Sequence, residues 1–357
     1  MALHTTVTAI NDTSPSTKEI AGINSLRFLA FALVYCSHLL PGFRFGHTGV
    51  QFFFVISSFL LTYLSLEEFK QSGSFNRFNF FVRRSLRIYP LYYLVLTFAF
   101  FILPVLSNRF SVVVTLPDRK WMYWLFLSNF DYSQHVFFLK LLWSIAVEEQ
   151  FYLAFLFFSL FFKRFHYQLC LLLFIVYSFY LFLLIEGKFT NEYFNPLSYL
   201  PCFISGMLIA KIFFQQKNLL LKTLIAYIIV FAIVGIGLYM FEWNEFFGYL
   251  FNTCIYSSLL LLVLLGQNYF ALSIQPIFRF FETAGKYTYG LYVYSGLAIT
   301  LELTVIPIDN PLVAALFVTL VLVAMAVISY HLYEQPFLRL KRYFRKERGR
   351  TSQSVAA

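Results

Sequence analysis

Ten apolar runs of roughly twenty residues follow one another through this chain, separated by short polar segments, and that pattern fixes the solvent in which the chain folds. A helix needs about 20 apolar residues to cross the hydrocarbon of a bilayer, and the unpaired backbone groups of a loop or an open sheet are too costly at that depth. The runs predict spans near 23–42, 49–66, 88–107, 141–162, 167–186, 196–214, 220–241, 246–266, 284–306 and 311–333. The expected fold class is all-α, a polytopic transmembrane helical bundle of about ten spans. Composition excludes a soluble alternative. The 357 residues are 60% hydrophobic, 22% aromatic and 12% charged, against about 45–50% apolar and about 25% charged in soluble domains. With 48 Phe and 25 Tyr, the chain carries more rings than one aqueous core of this length can bury. Rings sit readily at bilayer interfaces.

Residues 1–19 are Ser/Thr-rich without an apolar run and read as a disordered cytoplasmic tail rather than a signal peptide. Residues 20–338 form the membrane domain and 339–357 a basic cytoplasmic tail. Trp121 to Phe130 is too short to span and reads as interfacial or re-entrant. Cys36, Cys170, Cys202 and Cys254 all fall inside apolar runs and never pair at short spacing, so they are expected to pack rather than to bind metal. The net charge of +10 lies between apolar runs rather than in a basic domain, which argues for membrane topology and against nucleic acid. With ten spans both ends lie on one side. Twenty of the 27 Lys/Arg residues then fall on that side and six on the other, with Arg27 inside the first span. Positive charge collects in the cytoplasm, so both termini are expected there.

An ionisable side chain at membrane depth costs at least about 2.5 kcal/mol, so it normally faces the bundle interior and marks a function. Four places break the apolar pattern. Arg27 and His38 stand eleven residues apart in SLRFLAFALVYCSHL, which is three turns plus roughly 20°, on one helix face and about 16 Å apart along the axis. Arg83, Arg84 and Arg87 precede the third span in FVRRSLRIYPLYY; clustered guanidiniums suit phosphate because each offers a fixed fork of donors. Glu148 and Glu149 lie in LLWSIAVEEQFYLAF below Trp143 and Ser144. Adjacent helical residues point about 100° apart, so only one of the two carboxylates can face a given partner directly. Glu334 precedes Pro336 and the basic tail. Plainer readings stand beside each of these: Arg27 snorkelling to headgroups, His38 bonded to a neighbouring carbonyl, arginines anchoring lipid, a packing glutamate, and a helix stop at Pro336.

Taken in order, the blocks GINSLRFLAFALVYCSHL, GVQFFFVISSFLLTY, FVRRSLRIYPLYYL, LWSIAVEEQFYL, KYTYGLYVY and YHLYEQPFLRL span nearly the whole chain and resemble the acyltransferase 3 family of bacterial membrane proteins. Its arginine-and-histidine element falls on Arg27 and His38, its paired arginines on Arg84 and Arg87, its tryptophan, serine and glutamate on Trp143, Ser144 and Glu148, and its late glutamate and proline on Glu334 and Pro336. The chain departs from the usual family pattern at Gln51, where an acidic residue is common, at Ser58, where glycine is, and at Ser295, where histidine closes a block containing Tyr289 and Tyr292.

The resemblance implies that residues 20–338 are a transmembrane acyltransferase domain of the bacterial inner membrane. It would carry an acyl group, acetyl first among them, from cytoplasmic acyl-CoA to a hydroxyl of a surface carbohydrate or glycolipid. His38 is then the expected base, since imidazole lies closest to neutral pKa; Glu148 orients it or binds the acceptor, Arg27 marks the groove, Arg84 and Arg87 hold the donor's phosphates, and Trp143 and Ser144 contact substrate. No metal is implied, and lipid is the surrounding partner. The rival readings are a transporter or flippase using the same charges as a pathway, and a non-catalytic component of a polysaccharide-export assembly. No glycine-broken pair of spans at matching positions of two halves supports the transporter.

Overall fold

The computed structural model describes residues 20–40, 42–43, 46, 48–110, 113–133, 136–161, 165–185, 192–241, 245–267 and 276–344. The expected tail at 1–19, Arg44, Lys188 and residues 345–357 lie outside these. Helices account for the architecture, and no β-strand occurs among the described residues. In chain order they are α1 (Ile23–Leu39), α2 (Thr48–Ser72), α3 (Arg77–Thr97), α4 (Leu103–Phe110), α5 (Lys120–Trp124), α6 (Phe137–Lys140), α7 (Trp143–Phe161), α8 (Phe165–Ile185), α9 (Leu200–Gln215), α10 (Leu220–Phe241), α11 (Glu245–Leu265), α12 (Pro276–Lys286), α13 (Thr288–Thr304), α14 (Pro311–Ser329) and α15 (Gln335–Leu340).

Eight helical stretches among the described residues are long and apolar enough to cross a membrane: 48–72, 77–110, 137–160, 166–184, 196–215, 217–236, 248–265 and 311–344. They coincide with eight of the expected spans. The first and ninth fall on α1 and α13, each of 17 residues, and a helix of that length reaches only about 26 Å against a hydrocarbon thickness of about 30 Å. Gly22 takes a left-handed conformation (φ 89°) at the start of α1, and Tyr287 separates α12 from α13.

The bundle centres on α2, whose Phe52, Val55, Ile56, Ser58 and Phe59 are completely buried. It packs against α1, α9 and α11. Contact with α9 is close because position 206 is glycine: a Cβ there would collide with Ser58 Oγ and the Val55 carbonyl. Small residues that let backbones approach are the usual basis of helix association in lipid, where apolar burial contributes little. Helices α10 and α14 lie at the periphery and turn Ile228, Ile229, Ile233 and Ile236, and Leu316, Leu320 and Val323, outward. These suit lipid tails.

Prolines shape α3 and α14. The π-helical turns Phe98–Ile102 and Tyr330–Glu334 each end two residues before a proline, Pro104 and Pro336. A proline lacks the N–H that would continue the ladder, and one wider turn relieves its clash with the preceding carbonyls. Pro90 lies inside α3, and nearby carbonyls there take tyrosine donors: Tyr289 donates to the Ile88 oxygen (2.6 Å) and Tyr333 to the Pro90 oxygen (3.2 Å). These bonds tie α13 and the end of α14 to α3.

The segment Trp121 to Phe130 does not span. It forms α5 and a 3-10 turn tucked against α3, with Tyr92 donating to the Tyr123 oxygen, Tyr93 to the Trp124 oxygen and Gln150 to the Phe126 oxygen. Phe126 has φ 56° and stacks on Tyr92 at 4.4 Å between ring centroids. Its packing holds a left-handed conformation that costs a non-glycine residue about 1–3 kcal/mol. All four cysteines are free, and all but Cys36 are buried.

Candidate functional site

Five helices line a cavity with mixed polar and apolar walls. Arg27 enters from α1, Ser57 from α2, Arg84 and Arg87 from α3, Ser144, Glu148 and Tyr152 from α7, and Thr288, Tyr289 and Tyr292 from α13. Its internal volume is about 60 Å³, room for a few water-sized groups and far below the roughly 300–1,000 Å³ of a pocket that swallows a drug-sized ligand. A substrate would therefore insert only its reacting or charged end.

Charge is the cavity's main property. None of Arg27, Arg84 and Arg87 makes an ion pair within 4.0 Å with a described carboxylate, whereas Arg83 bonds Glu68 at 2.5 Å and points away from the cavity. Helical spacing explains this division. Arg84 and Arg87 are three apart and share a face, while Arg83 is rotated about 100° from Arg84. Arg84 Nη2 donates to the Tyr152 hydroxyl at 3.1 Å, and its guanidinium lies 4.7 Å from the centre of that ring. Tyr152 in turn donates to Glu148 Oε1. Arg84 Nε and Thr288 Oγ1 are buried without a hydrogen-bond partner among the described residues. Three guanidiniums around a small buried space, with orphaned polar atoms, make a site for an anion, because like charges at this depth are held together only at a cost.

Hydroxyls line the wall by Ser144. The Ser144 and Tyr292 hydroxyls are 2.5 Å apart, and Tyr292 also donates to the Leu141 oxygen at 3.1 Å. Glu149 takes the other flank of α7. It is 97% enclosed, its Oε2 accepts from Tyr89 at 3.2 Å, and its Oε1 has no partner among the described residues. Only Glu148 of the adjacent pair lines the cavity, as the 100° offset requires.

Of the residues singled out in the sequence, Arg27, Arg84, Arg87, Ser144 and Glu148 meet at this cavity. His38 does not line it. It sits exposed in the last turn of α1, edge-on to Phe137 of α6 with ring centroids 5.1 Å apart. Trp143 is also outside, buried among Tyr193, Phe194 and Tyr199. Glu334 proves to be more than a helix stop. The π turn swings it inward, where Ser329 donates to it at 3.2 Å and a Cβ at position 290 would come within 3.1 Å of its Oε1. Tyr152 was not legible as a site residue by composition, although its spacing of four from Glu148 puts both on one face. The departures from the family pattern are packing positions away from the lining: Gln51 is buried, Ser58 donates to the Val55 oxygen, and Ser295 donates to the Tyr292 oxygen.

The sequence profile of the acyltransferase 3 family, described as an acyltransferase domain, matches residues 20–333. The chain is similar to O-acetyltransferase OatA of Staphylococcus aureus, 34% identical over 153 residues, covering 39% of this chain and 24% of the relative. It is also similar to peptidoglycan O-acetyltransferase OatA of Listeria monocytogenes, 31% identical over 147 residues with the same coverage of 39% and 24%. The chain thus matches about a quarter of the length of these curated relatives. No solved structure matches it.

Proposed function

The chain belongs to the acyltransferase 3 family, and on that premise we propose that it is a membrane-embedded O-acyltransferase that moves an acyl group, acetyl first, from acyl-CoA to a hydroxyl of a cell-envelope carbohydrate. The observation that carries this reading is the convergence of Arg27, Arg84 and Arg87 on a cavity that also holds Glu148 and the Ser144 hydroxyl. An acyl-CoA is a polyanion with a slender, uncharged arm ending in a thioester. Guanidiniums recognise its phosphates in bidentate fashion, and a narrow site would take a charged end of the donor rather than the whole molecule. The names of the relatives, O-acetyltransferase and peptidoglycan O-acetyltransferase, support acetyl as the group and a carbohydrate as the acceptor.

The chemistry asks for a base, a donor anchor and shelter from water. The acceptor hydroxyl loses its proton to the base, its oxygen attacks the thioester carbonyl, the C–S bond breaks, and the proton returns to the departing thiolate. His38 is the proposed base. It lies on Arg27's helix face about 16 Å further along α1, so the donor's arm would have to cross that length. An acyl-histidine is a variant of the same assignment. Glu148 is the second candidate base, favoured by its place in the cavity beside Ser144. On this reading the arginine-lined end faces the cytoplasm of a bacterial inner membrane, an orientation the positive-inside count supports.

Purified protein in proteoliposomes, given labelled acyl-CoA and a peptidoglycan-fragment acceptor, should transfer label to the acceptor, and Glu148→Gln should reduce that transfer at matched protein level. Movement of the carbohydrate across the membrane without acyl-CoA consumption would replace this reading by the transporter.

A further inference from the structure

We propose that, whatever the acyl donor and acceptor, helix α12 docks on the headgroup layer of the membrane, with Arg279 and Lys286 as its ligands for the phosphates of anionic phospholipids. With 11 residues α12 reaches about 16 Å, too short to cross a bilayer. Pro276 opens it, at a position where the missing N–H is no loss. The helix is seated on α1. Position 285 is glycine at this contact, and a Cβ there would collide with the Asn24 carbonyl just before Ser25. Phe28 of α1 meets Phe281 at 5.6 Å and Phe280 edge-on at 6.0 Å between ring centroids. These contacts fix which faces of α12 point away from the bundle.

Helical periodicity divides the outward side into two sectors. Arg279 and Lys286 are two turns apart less roughly 20°, so they share a face and stand about 10 Å apart along the axis. Both are exposed. In the neighbouring sector Ile277 and Phe280 also turn outward, 69% and 61% exposed. An apolar strip flanked by cations is the pattern of a helix held where acyl chains meet headgroups. The helix's own acid does not neutralise these cations. Glu282 stands three residues after Arg279 and four before Lys286, the spacings at which a carboxylate pairs along a helix. It turns instead to α1, where it accepts from the Ser25 amide at 3.2 Å and from the Ser25 hydroxyl at 2.8 Å. Neither Arg279 nor Lys286 makes a hydrogen bond or ion pair with a described residue. The partner that completes this surface must offer anionic groups and apolar chains side by side. An anionic phospholipid offers both.

The full chain in detergent is titrated with phosphatidylglycerol or with phosphatidylcholine while its Tm is followed. Phosphatidylglycerol should stabilise the wild type more than phosphatidylcholine does. Arg279→Gln with Lys286→Gln should raise the phosphatidylglycerol midpoint about fivefold per cation removed and leave the Tm without lipid unchanged. Lys217→Gln with Lys222→Gln removes the same charge from exposed positions around the start of α10 and should leave the midpoint close to wild type. Equal shifts in the two double variants would reduce the effect to net charge, and a lower Tm without lipid at an unchanged midpoint would make the α12 cations structural; either result overturns the proposal, as does equal stabilisation by the two lipids. Depth is read with Phe280→Trp in proteoliposomes of phosphatidylcholine brominated near the headgroup or near the chain end. Its emission above that of the wild type's four tryptophans should be quenched more by the shallow bromines. Quenching by neither lipid would put Phe280 against water or protein, and cross-linking of two copies through α12 would then make this face a contact between copies. Both outcomes overturn the docking on lipid.

Discussion

Arg84 lies with its guanidinium 4.7 Å from the ring centre of Tyr152 and donates to the same residue's hydroxyl at 3.1 Å. One tyrosine thus holds the arginine by its π face and its oxygen while its own proton goes to Glu148. Arg84 and the Glu148 carboxylate are mechanically one unit.

Tyr152→Phe keeps the ring and loses both hydrogen bonds, so acyl transfer should fall about tenfold in kcat/KM with little change in folded yield. Tyr152→Ala also removes the cation–π contact and should cost more. Steady-state turnover in proteoliposomes at matched protein level checks both. Equal activity of Tyr152→Phe and wild type would separate the anchor from the carboxylate.

Arg84→Gln with Arg87→Gln should raise the KM for acyl-CoA at least tenfold while insertion is normal. Lysine at the same positions should rescue partly, because an ammonium lacks the bidentate fork. The check is direct binding of acyl-CoA to purified double variant. Undiminished affinity there would leave these arginines as lipid anchors.

His38→Ala should abolish acceptor acylation and retain acyl-CoA binding, since His38 stands apart from the arginine cavity. His38→Gln imitates the imidazole's hydrogen bonds but accepts no proton near neutral pH, so it should be equally inactive. Near-wild-type turnover by the Gln variant would remove His38 as base and turn attention to Glu148. Near-wild-type turnover by the Ala variant would exclude acyl-histidine too.

Gly206→Val should destabilise the bundle by about 1–3 kcal/mol through overpacking of α9 against α2, read as a lowered Tm in detergent. The added side chain would meet Ser58 and the Val55 carbonyl. A companion Ser58→Gly substitution should recover part of the loss, because Ser58 Oγ is among the atoms met.

Reporter fusions after Gln216 and after Gln353 should score cytoplasmic, and one near Asn191 external. This follows from ten spans and the twenty-to-six division of Lys and Arg. An external signal at Gln353 would mean that α1 or α13 fails to cross.

The solvent, the helical class and the positions of eight candidate spanning stretches are written in the apolar runs, because about twenty such residues have only one stable answer in a bilayer. Arg27, Arg84, Arg87, Ser144 and Glu148 were also legible, since charge or polarity at membrane depth is costly enough to mark itself. Which of these side chains meet was decided by tertiary structure. Helical periodicity put Arg27 and His38 on one face, yet three turns of rise separate them, and only the packing of α1 against α2 and α13 showed that Arg27 alone reaches the cavity. Trp143 looked like a substrate contact and lies in an aromatic cluster. Glu334 and Lys341 read as a helix stop and a basic tail; a π turn rotates the one inward, and a latch from Arg83 to the Phe344 carbonyl brings the other back to α3. Such contacts join residues hundreds of positions apart through backbone geometry, and no local pattern of charge or hydrophobicity encodes them.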